Sequence, residues 1–594
     1  MMRLLLLASL ATAWAPSHLV RHRSVQLQSS TKETHGESTP SFLRTAFLTE
    51  CDNTNRPPSL NILLRSLDDL LGRGGSSDIR GRFVDHYRVG SLASVAHTLG
   101  KIPVGSVPPL TPFAAYCLGA GLAKALKENN EDTVTILLGR DPRLHGERLT
   151  DALARGAESI PGVQCYYTGI ATTPACATLV PDKATAAIMV TASHLPPDRN
   201  GFKIFGDVSK EQLWKMGEYA AQVVSEWYSH GILPPSSGHV MCTQWVDWMP
   251  EYAERLRSAI VSQSSKGDRP LEGFKIVLNA GNGAGGFFNQ VLADLGADMS
   301  GSIHIEGNGD FPNGVPNPES QTMIDATLEA CRRENADLGI MLDTDADRCG
   351  FVVPRTVMDD GKRSDYEPLN RNRLIALLAV VIAEEYPGGS IVTDSVTSEG
   401  LATFIEGLGL SHIRYLKGYA NVINKAKETD SELAIETSGH CAFQENRYLD
   451  DGTYVAVKVV SLLSRLKEGQ SLLGLIADLV EVDEVAELRM TAVDGSLDTM
   501  QRVFDFCALE VERLAEVFDE WTVDRDNLEG IRVRLDDGQF FMLRKSLHDP
   551  IISLQIEAKS KDVARRLVTK PLLSLFEDEN LIRSQLGLDV LHDY

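Results

Sequence analysis

Residues 186–203 read AAIMVTASHLPPDRNGFK, an apolar run followed by a polar loop with a serine, a histidine and a lysine. The run Ala186 to Val190 ends in a β-branched residue and predicts a buried strand, with Ser193 just past its carboxyl end. Open α/β sheets usually place their chemistry at that edge. His194 offers Ser193 a proton acceptor, and Lys203 offers a counter-charge for a phosphate. Taken alone, these residues also fit a strand that runs into a polar turn.

Size and charge limit the architecture of the chain and its partners. Its 594 residues are too many for one core and correspond to roughly three to five domains. The formal net charge of −23 argues against nucleic acid or an anionic membrane as a general partner, because both attract clustered positive charge. The nine cysteines form no CxxC pair and no zinc-like spacing, which indicates reduced thiols. Cys349 is expected to fill a strand rather than to act as a nucleophile.

The first fifty residues are typical of an address rather than of a folded domain. Arg3 precedes a short apolar run, and Ala11-Thr12-Ala13 provides the small residues that a signal peptidase reads. A tract rich in Ser, Thr and Arg follows, with no acidic residue before Glu33. The junction resembles the bipartite plastid-targeting presequences of algae with secondary plastids, so residues 1–50 predict delivery to a plastid. A plain secretory signal is the alternative.

Beyond residue 60, strand-like and helix-like runs alternate in a βαβ manner. The pattern predicts three similar α/β units over residues 60–235, 240–354 and 355–478, and a dissimilar α+β unit over 480–594, where charged and apolar residues alternate. The apolar run 374–383 ends in two glutamates and predicts a buried helix rather than a membrane span. The main predicted strands are 134–138, 186–190, 275–278, 338–342, 390–393, 432–435, 531–535 and 551–556, and the other predicted helices are 113–126, 210–227, 287–295 and 453–466.

Three carboxylates lie within five residues in Asp343-Thr344-Asp345-Ala346-Asp347-Arg348, just after the predicted strand 338–342. A hard cation would relieve their mutual repulsion, and Mg²⁺ prefers such oxygen ligands while leaving positions open for a substrate phosphate. A calcium loop of the EF-hand type is excluded, because Arg348 and Pro354 stand where it needs glycine and glutamate. An acidic turn that caps the next element is the alternative.

Three other loops are weak signals when taken singly. Residues 281–286, GNGAGG, contain the glycine pattern of a dinucleotide site, but a tight strand-to-helix turn is favoured. Residues 436–440, ETSGH, offer Glu436 and Ser438 to adjacent sugar hydroxyls and His440 as an acid or base. Residues 544–550, RKSLHDP, offer a cradle for phosphate, built from Arg544, Lys545 and Ser546.

Together these motifs resemble those of the α-D-phosphohexomutases. The resemblance includes SSDIRG at 76–81, GRDPR at 139–143 and FPNGVPNPE at 311–319, and it extends from about Ser76 to Ala558 with every motif in the family's order. It implies three similar α/β domains and a smaller C-terminal domain around a central cleft. It also implies a sugar phosphate as the substrate, and the glucose and mannose types are a better match than the glucosamine type.

The resemblance also implies a mechanism. Phospho-Ser193 would give its phosphoryl group to a hexose phosphate and take the other one back from a bisphosphate intermediate, with hexose 1,6-bisphosphate as primer. Mg²⁺ would bind Asp343, Asp345, Asp347 and an oxygen on phosphorylated Ser193. The further implied roles are transition-state stabilisation by Arg80, Lys203 and Arg348, sugar recognition by Glu436 and Ser438, and phosphate binding by Arg544 and Ser546.

Several residues depart from the family pattern. Thr344 replaces a glycine, and Leu195, Val396 and Tyr419 replace polar residues near the substrate. Leu547-His548-Asp549 also departs, in a form similar to a plant and algal branch. The alternatives are therefore a metal-dependent sugar phosphatase, a phosphoglucosamine mutase and a catalytically impaired regulatory relative. The sequence does not indicate an oligomeric state.

Overall fold

The structure is a computed structural model that describes residues 57–594, except 73–76, 86–90, 104–105, 129–132, 181, 232–243, 265, 359–360, 370, 468 and 547–549. The predicted presequence therefore lies outside the described residues. Within them, no helix is both long and apolar enough to cross a bilayer. The seven cysteines of the described part are buried, among them Cys349 at the start of a strand.

The first sheet presents the loop of Ser193 at the end of a central strand. Its strands are β1 (Asp78–Phe83), β2 (Pro109–Leu110), β3 (Val134–Arg140), β4 (Val163–Ile170), β5 (Ala186–Val190), β6 (Arg199–Gly206) and β7 (Gln244–Trp245). They lie in the order β2-β1-β6-β5-β3-β4-β7. β5 runs parallel to β3, and β6 returns antiparallel to β5 with Val190 opposite Phe202. The predicted strand 186–190 is confirmed.

The second and third sheets repeat this arrangement. Their strands are β8 (Ile276–Asn279), β9 (Leu338–Leu342), β10 (Cys349–Val357), β11 (Arg363–Pro368), β12 (Ser390–Asp394), β13 (Ser411–Tyr415), β14 (Leu433–Ile435), β15 (Cys441–Phe443) and β16 (Leu449–Asp450). In each sheet the candidate loop leaves a parallel strand, β9 or β14, and returns as an antiparallel one, β10 or β15. The loops 191–198, 343–348 and 436–440 thus occupy equivalent positions, so the suspected repeat exists in topology although the sequence shows no self-similarity.

The fourth sheet differs from the other three. Its strands are β17 (Glu484–Thr491), β18 (Thr522–Val523), β19 (Ile531–Arg534), β20 (Phe540–Lys545) and β21 (Ile551–Ala558). All neighbours pair antiparallel, in the order β17-β21-β20-β19-β18. The predicted fold class, three mixed α/β units and a dissimilar last one, is confirmed.

Helices flank the sheets, and the predicted helices are present with shifts of a few residues at their ends. One predicted helix, 287–295, differs at its start. A 3₁₀ turn at Ala284–Phe287 precedes the α-helix, which begins at Phe288. The α-helices are Pro58–Leu71, Leu92–Leu99, Pro112–Glu128, Gly146–Glu158, Thr173–Thr178, Lys210–His230, Met249–Ser262, Phe288–Asp294, Gln321–Glu334, Arg371–Glu385, Glu399–Gly407, Tyr419–Thr429, Gly452–Arg465, Leu497–Ala515, Lys561–Ala564, Lys570–Asp578, Asn580–Gln585 and Asp589–Asp593.

Two expected domain boundaries fall inside sheets. The boundary at residue 354 lies within β10, which continues to Val357 and pairs with β11. The boundary near residue 240 separates β7 from the first sheet, yet β7 pairs with β4. Backbone pairing, which composition does not reveal, extends both units. The second and third sheets share one apolar core that includes Leu278, Ile340, Ile391 and Ile435, so they are packed as one body.

Candidate active site

Ser193 lies in a strained loop and faces the carboxylates of the second sheet. Its φ of 48° is in the left-handed region, which non-glycine residues seldom adopt. Its backbone N–H donates to Thr191 Oγ1 at 2.9 Å, and its own hydroxyl donates to Asp343 Oδ2 at 2.8 Å. The side chain is buried. The hydroxyl is therefore directed at the loop 343–348, 150 residues away in sequence.

A buried arginine, Arg143, holds the backbone of this loop. Its guanidinium donates to the carbonyl of Ser193 at 2.5 Å and to that of Leu195 at 2.7 Å, and it also reaches the carbonyls of Pro196 and Arg199. Asp141 accepts from Arg143 at 3.1 Å and from Thr191 Oγ1 at 2.7 Å. The side chains of Asp141 and Arg143 are 0% exposed, so the pair forms a fixed support for the strained serine.

The three carboxylates of the loop 343–348 converge in the turn between β9 and β10. Lys203 donates to Asp345 at 2.7 Å and also pairs with Asp347, and the Thr173 hydroxyl donates to Asp345. One oxygen of Asp345 and one of Asp347 are buried without a hydrogen-bond partner among the described residues. Ligand oxygens of the three aspartates lie within 4.8 Å of one another. These orphaned oxygens fit a divalent cation with oxygen ligands.

The charged groups of this cluster shift one another's pKa values. Burial and the neighbouring Asp347 and Asp345 raise the pKa of Asp343, because a second and third negative charge in the same cavity are unfavourable. Burial alone would also raise the pKa of Asp347, but the Lys203 ammonium together with His440 and Arg348 outweighs it and lowers that pKa. Burial alone would lower the pKa of Lys203, which Asp345 and Asp347 instead hold well above its usual range. The cluster thus holds a charged ammonium next to the ionised carboxylate of Asp347.

Two arginines complete the surroundings of Ser193. Arg348 donates from Nε to Asp343 Oδ2 at 3.3 Å, and its Nη2 is buried without a partner in the described part of the chain. Arg80 donates to both oxygens of Asp78 at 2.8 Å and reaches the carbonyl of Ala192 at 3.3 Å. An anion attached to Ser193 would therefore meet two guanidinium groups from two different sheets.

The loop 436–440, which we call the sugar-type loop because Glu436 and Ser438 are predicted to bind the sugar, contacts this cluster through the backbone. Arg348 and His440 form an isolated antiparallel bridge, which connects the turn 343–348 directly to the loop. Gly452 begins a helix whose backbone approaches Arg348 so closely that a Cβ at residue 452 would lie 2.6 Å from the Arg348 carbonyl carbon. The Asp451-Gly452 pair therefore serves close packing of the two loops.

His440 and His194 are in opposite protonation states. Burial alone would lower the pKa of His440, but Asp450, whose carboxylate lies 2.6 Å from Nδ1, raises it to about 9. Burial together with Arg348 and Arg80 lowers the pKa of His194 to about 3. His194 Nδ1 lies 3.4 Å from Ser193 Oγ. At neutral pH the site therefore holds one histidine that can donate a proton and one that can accept one.

The comparisons with known proteins match this geometry. Three domains described as phosphoglucomutase/phosphomannomutase α/β/α domains I, II and III match residues 99–212, 250–356 and 370–482, which together are more than half of the chain. The chain belongs to the phosphoglucomutase/phosphomannomutase family. The resemblance seen in the motifs is thereby confirmed at the level of the family, whereas its plant and algal branch stays a prediction.

Individual relatives agree across most of the chain. A phosphomannomutase/phosphoglucomutase of Pseudomonas aeruginosa is 28% identical over 77% of this chain and 91% of its own length. A phosphoglucomutase of Neisseria meningitidis is 27% identical over 80% of this chain and 95% of its own. A crystal structure of a phosphoglucomutase/phosphomannomutase family protein from Burkholderia thailandensis superposes with a TM-score of 0.63 at 22% identity, covering 86% of this chain and 97% of that one. That last likeness establishes the fold.

The sugar-type residues of this family member are linked to the neighbouring loop 417–419. Ser438 Oγ donates to Glu436 Oε2 at 3.1 Å, and the Gly418 N–H donates to Glu436 Oε1 at 2.5 Å. Tyr419, one of the departures, has its ring 5.2 Å from that of His440. Tyr419 therefore supplies an aromatic contact to the histidine at the position where the family usually has a polar residue.

The residues predicted to bind phosphate, Arg544, Lys545 and Ser546, make contacts within the last domain. Arg544 donates to Glu487 at 3.3 Å, and Lys545 donates to Gln501, both within the fourth sheet and its helix. Arg544 Nε is buried without a hydrogen-bond partner among the residues described here. Ser546 closes the strand pair through its N–H to Ile551, and Leu547-His548-Asp549 lie outside the described residues.

The glycine turn 281–286 packs against the carboxylate loop. A Cβ at Gly283 would lie 2.7 Å from the Thr344 carbonyl oxygen, and one at Gly286 would lie 1.8 Å from the Ile305 carbonyl oxygen. The Ala284 N–H donates to Thr344 O at 2.8 Å. This agrees with a tight strand-to-helix turn, as favoured from the sequence, and explains its glycines by close backbone approach.

Sequence reasoning missed four supporting residues. Arg143 and Asp141 belong to the motif GRDPR at 139–143, and its charged residues gave no local sign that these two form a buried ion pair. Asp450 precedes the Asp451-Gly452 motif and orients His440. Thr173 binds Asp345 through both its hydroxyl and its N–H, the latter at 2.9 Å to the carbonyl, and nothing in its local sequence indicates this.

Proposed function

We propose that this chain interconverts hexose 1-phosphate and hexose 6-phosphate, with Ser193 as the phosphoryl carrier. The observation that carries the proposal is the Ser193 hydroxyl, 2.8 Å from Asp343 and beside Lys203 and Arg348 within one buried charged cluster. A hydroxyl in that position can carry a phosphate whose oxygens face a cation and guanidinium groups. The names of the relatives in Pseudomonas and Neisseria support the same activity.

The proposed reaction uses the same transfer twice. A free hydroxyl of the sugar phosphate attacks the phosphorus of phospho-Ser193; the new O–P bond forms while the P–Oγ bond breaks, and the hydroxyl proton is passed on so that Ser193 regains its own. The product is a hexose 1,6-bisphosphate. After it turns over in the site, the Ser193 hydroxyl attacks the other phosphorus, which restores phospho-Ser193 and releases the isomeric sugar phosphate.

Protons and developing charge are handled by residues with suitable states. Cationic His440 is a proton donor, and neutral His194 is an acceptor next to Ser193. Lys203, Arg348 and Arg80 stabilise the extra negative charge on the transferring group. Asp343, Asp345 and Asp347 would hold Mg²⁺ together with a phosphoserine oxygen, and the bound ion would supply Lewis-acid neutralisation of the phosphoryl oxygens.

Recognition of the sugar is assigned to Glu436 and Ser438, and binding of the phosphate that is not reacting to Arg544, Lys545 and Ser546. Glucose and mannose phosphates are the proposed substrates, because the segment Asn200-Gly201-Phe202-Lys203 resembles the glucose and mannose types of the family more than the glucosamine type. A hexose 1,6-bisphosphate primer is needed to phosphorylate any enzyme that has lost its phosphate.

The test is a coupled assay of purified protein lacking residues 1–50 with the 1-phosphates of glucose, mannose and glucosamine. Activity should require Mg²⁺, should rise with hexose 1,6-bisphosphate and should release little inorganic phosphate. Intact-mass measurement should find one phosphate, lost in Ser193→Ala. Stoichiometric phosphate release without isomer would establish a phosphatase instead, and no turnover of any of the three sugars would establish a non-catalytic relative.

For residues 1–50 we propose delivery to a plastid. The support is the charge pattern and the small-residue junction of the sequence alone. A fluorescent protein fused behind residues 1–50 should accumulate in plastids of an alga with secondary plastids, whereas accumulation in the medium would establish the secretory alternative.

A further inference from the structure

The last domain contacts the third sheet through a short segment, Glu529 to Arg532. Arg532 is 1% exposed and donates to the carbonyls of Ser395 at 2.8 Å and Thr397 at 2.9 Å, and to the Glu399 carboxylate at 2.9 Å. Ser395 and Thr397 follow β12 at its carboxyl end. Arg532 thus binds the last domain to the loop after β12, which lies at the same edge of the third sheet as Glu436 and Ser438.

Glu529 reaches a second loop at the same edge. Its carboxylate accepts from the Ser395 hydroxyl at 2.5 Å and from the Lys417 N–H at 2.9 Å. The next N–H along the chain, that of Gly418, donates to Glu436 at 2.5 Å. Two consecutive backbone N–H groups are therefore bound by two carboxylates, one from the last domain and one from the sugar-type loop.

The peptide between these two carboxylates is bound at two consecutive N–H groups. Gly418 has a φ of 116°, which glycine adopts readily and residues with a Cβ rarely do, and the helix Tyr419–Thr429 starts directly after it. Because glycine does not restrict its own backbone, the bond from Lys417 to Glu529 helps to fix the position of the Gly418 N–H. Loss of the Glu529 contact would therefore loosen one of the two hydrogen bonds that orient Glu436, the other being the bond from Ser438 Oγ.

On its other side Glu529 is joined to the phosphate-type residue Arg544. A Cβ at Gly530 would lie 2.1 Å from the Leu543 carbonyl oxygen and 3.1 Å from the Arg544 Cα, and Ile531 is paired with Leu543 in the sheet. The Asn527 side chain donates to the Glu529 carbonyl at 2.6 Å and fixes the turn. A continuous chain of contacts therefore runs from Arg544 through Gly530, Glu529, Lys417 and Gly418 to Glu436.

We propose that Glu529 is a positioning residue that links the phosphate-binding strand of the last domain to the sugar-reading Glu436. The proposal rests on the proposed function. Glu529 then keeps two binding sites in register: Glu436, which binds the sugar hydroxyls, and Arg544, which binds the distal phosphate of the same hexose phosphate. Sites that enclose an intermediate depend on such links between moving parts.

Substitutions of Glu529 separate this role from a merely structural one. Glu529→Ala removes the one carboxylate oxygen, Oε2, that accepts from both Ser395 and Lys417. It should raise KM for the hexose 1-phosphate about tenfold, with kcat falling less, because binding at both ends is misaligned while the Ser193 cluster is untouched. Glu529→Gln retains an acceptor for the Lys417 N–H and should recover most of the lost KM. Glu520→Ala, an exposed glutamate in the same domain, is the matched control.

Coupling to Arg544 is the decisive measurement. If Glu529 acts through the shared arrangement, the double variant Glu529→Ala with Arg544→Ala should raise KM clearly less than the product of the two single effects. Multiplicative effects, or a Glu529→Ala enzyme with unchanged KM, would overturn the inference. If Glu529→Ala does not fold, as judged by circular dichroism, Ser395→Ala supplies the same test by removing one donor to Glu529. A wild-type protein without mutase activity would instead refute the proposed function.

Discussion

The Ser193 cluster and the sugar-and-phosphate side of the site are built in different ways. In the cluster, formed by Ser193, the carboxylates 343–347, Lys203 and Arg348, nearly every charge is buried and paired within the protein. The recognition side, formed by the loops 417–419, 436–440 and 544–546, is only partly buried and spans two domains. Departures from the family pattern occur in both regions: Leu195 and Thr344 lie in the loops of the cluster, and Tyr419 lies in the loop 417–419. The two regions therefore differ in burial and in the number of domains that build them, rather than in whether they depart from the family pattern.

The departures on the recognition side are absorbed by new packing. Val396 is buried against Phe540 and Met542 of the last sheet, and Gln555 donates to its carbonyl at 3.0 Å. A residue where many members carry lysine has therefore become part of a domain contact. The same loop is held by Arg532, whose guanidinium lies 3.5 Å from the Phe540 ring centroid. In place of a polar side chain, residue 396 thus supplies an apolar contact to the last domain.

The largest expected effect is in the cluster. Ser193→Ala removes the hydroxyl that carries the phosphoryl group in the proposed mechanism, and we expect turnover to fall by at least about 10⁴-fold while the fold is retained. The measurement is the coupled assay with primer, combined with intact mass. Substantial turnover by the alanine variant would mean that the cluster is not the transfer site, and the contrast between the two regions would fail.

Support of the strained serine should come next in size. Arg143→Lys keeps the charge beside Asp141 but cannot reach the carbonyls of Ser193, Leu195, Pro196 and Arg199 together. We expect kcat to fall about 10²-fold through misplacement of Ser193, with little change in KM. Arg148→Lys, at an exposed arginine that pairs with Asp85, should leave kcat unchanged. A rise in KM with constant kcat would show that Arg143 acts on recognition instead.

A smaller effect is expected on the recognition side. Arg544→Ala removes one charged donor to the distal phosphate and should raise KM about tenfold with a smaller change in kcat. The matched control is Arg489→Ala, because Arg489 also pairs with Glu487 but is 66% exposed and lies on β17, the strand that carries Glu487. A similar rise in KM in both variants would indicate that disturbance of Glu487, and not loss of phosphate binding, is responsible.

The cluster could be predicted from the sequence to a greater extent than its support. Strands β5 and β9 are apolar runs followed by polar loops, so periodicity alone placed Ser193 and the carboxylates at strand ends. Their convergence depends on how the first and second sheets pack, which the family resemblance supplied. The four carbonyl bonds of Arg143, the carboxylate of Glu529 against Lys417 and the pairing of β7 with β4 are long-range contacts without a local pattern. Physical reasoning on short windows therefore could not find them.

The smallest effect is expected at Thr344, where the family usually has glycine. Thr344 is not in the left-handed region, whereas Ala346 is, with a φ of 58°. Its hydroxyl is buried without a partner among the described residues, and the Cβ of Ala346 carries the strain of the turn. We therefore expect Thr344→Gly to lower the free energy of unfolding by about 1 kcal/mol, through lost packing and added chain entropy, and to leave kcat within about twofold.

Ala346→Gly is the comparison variant. It should be less destabilising, because relief of backbone strain offsets the same entropy. Denaturant unfolding of the two variants measures the difference in their free energies of unfolding. If Ala346→Gly were the more destabilising of the two variants, the positive φ at residue 346 would not be a source of strain in this turn.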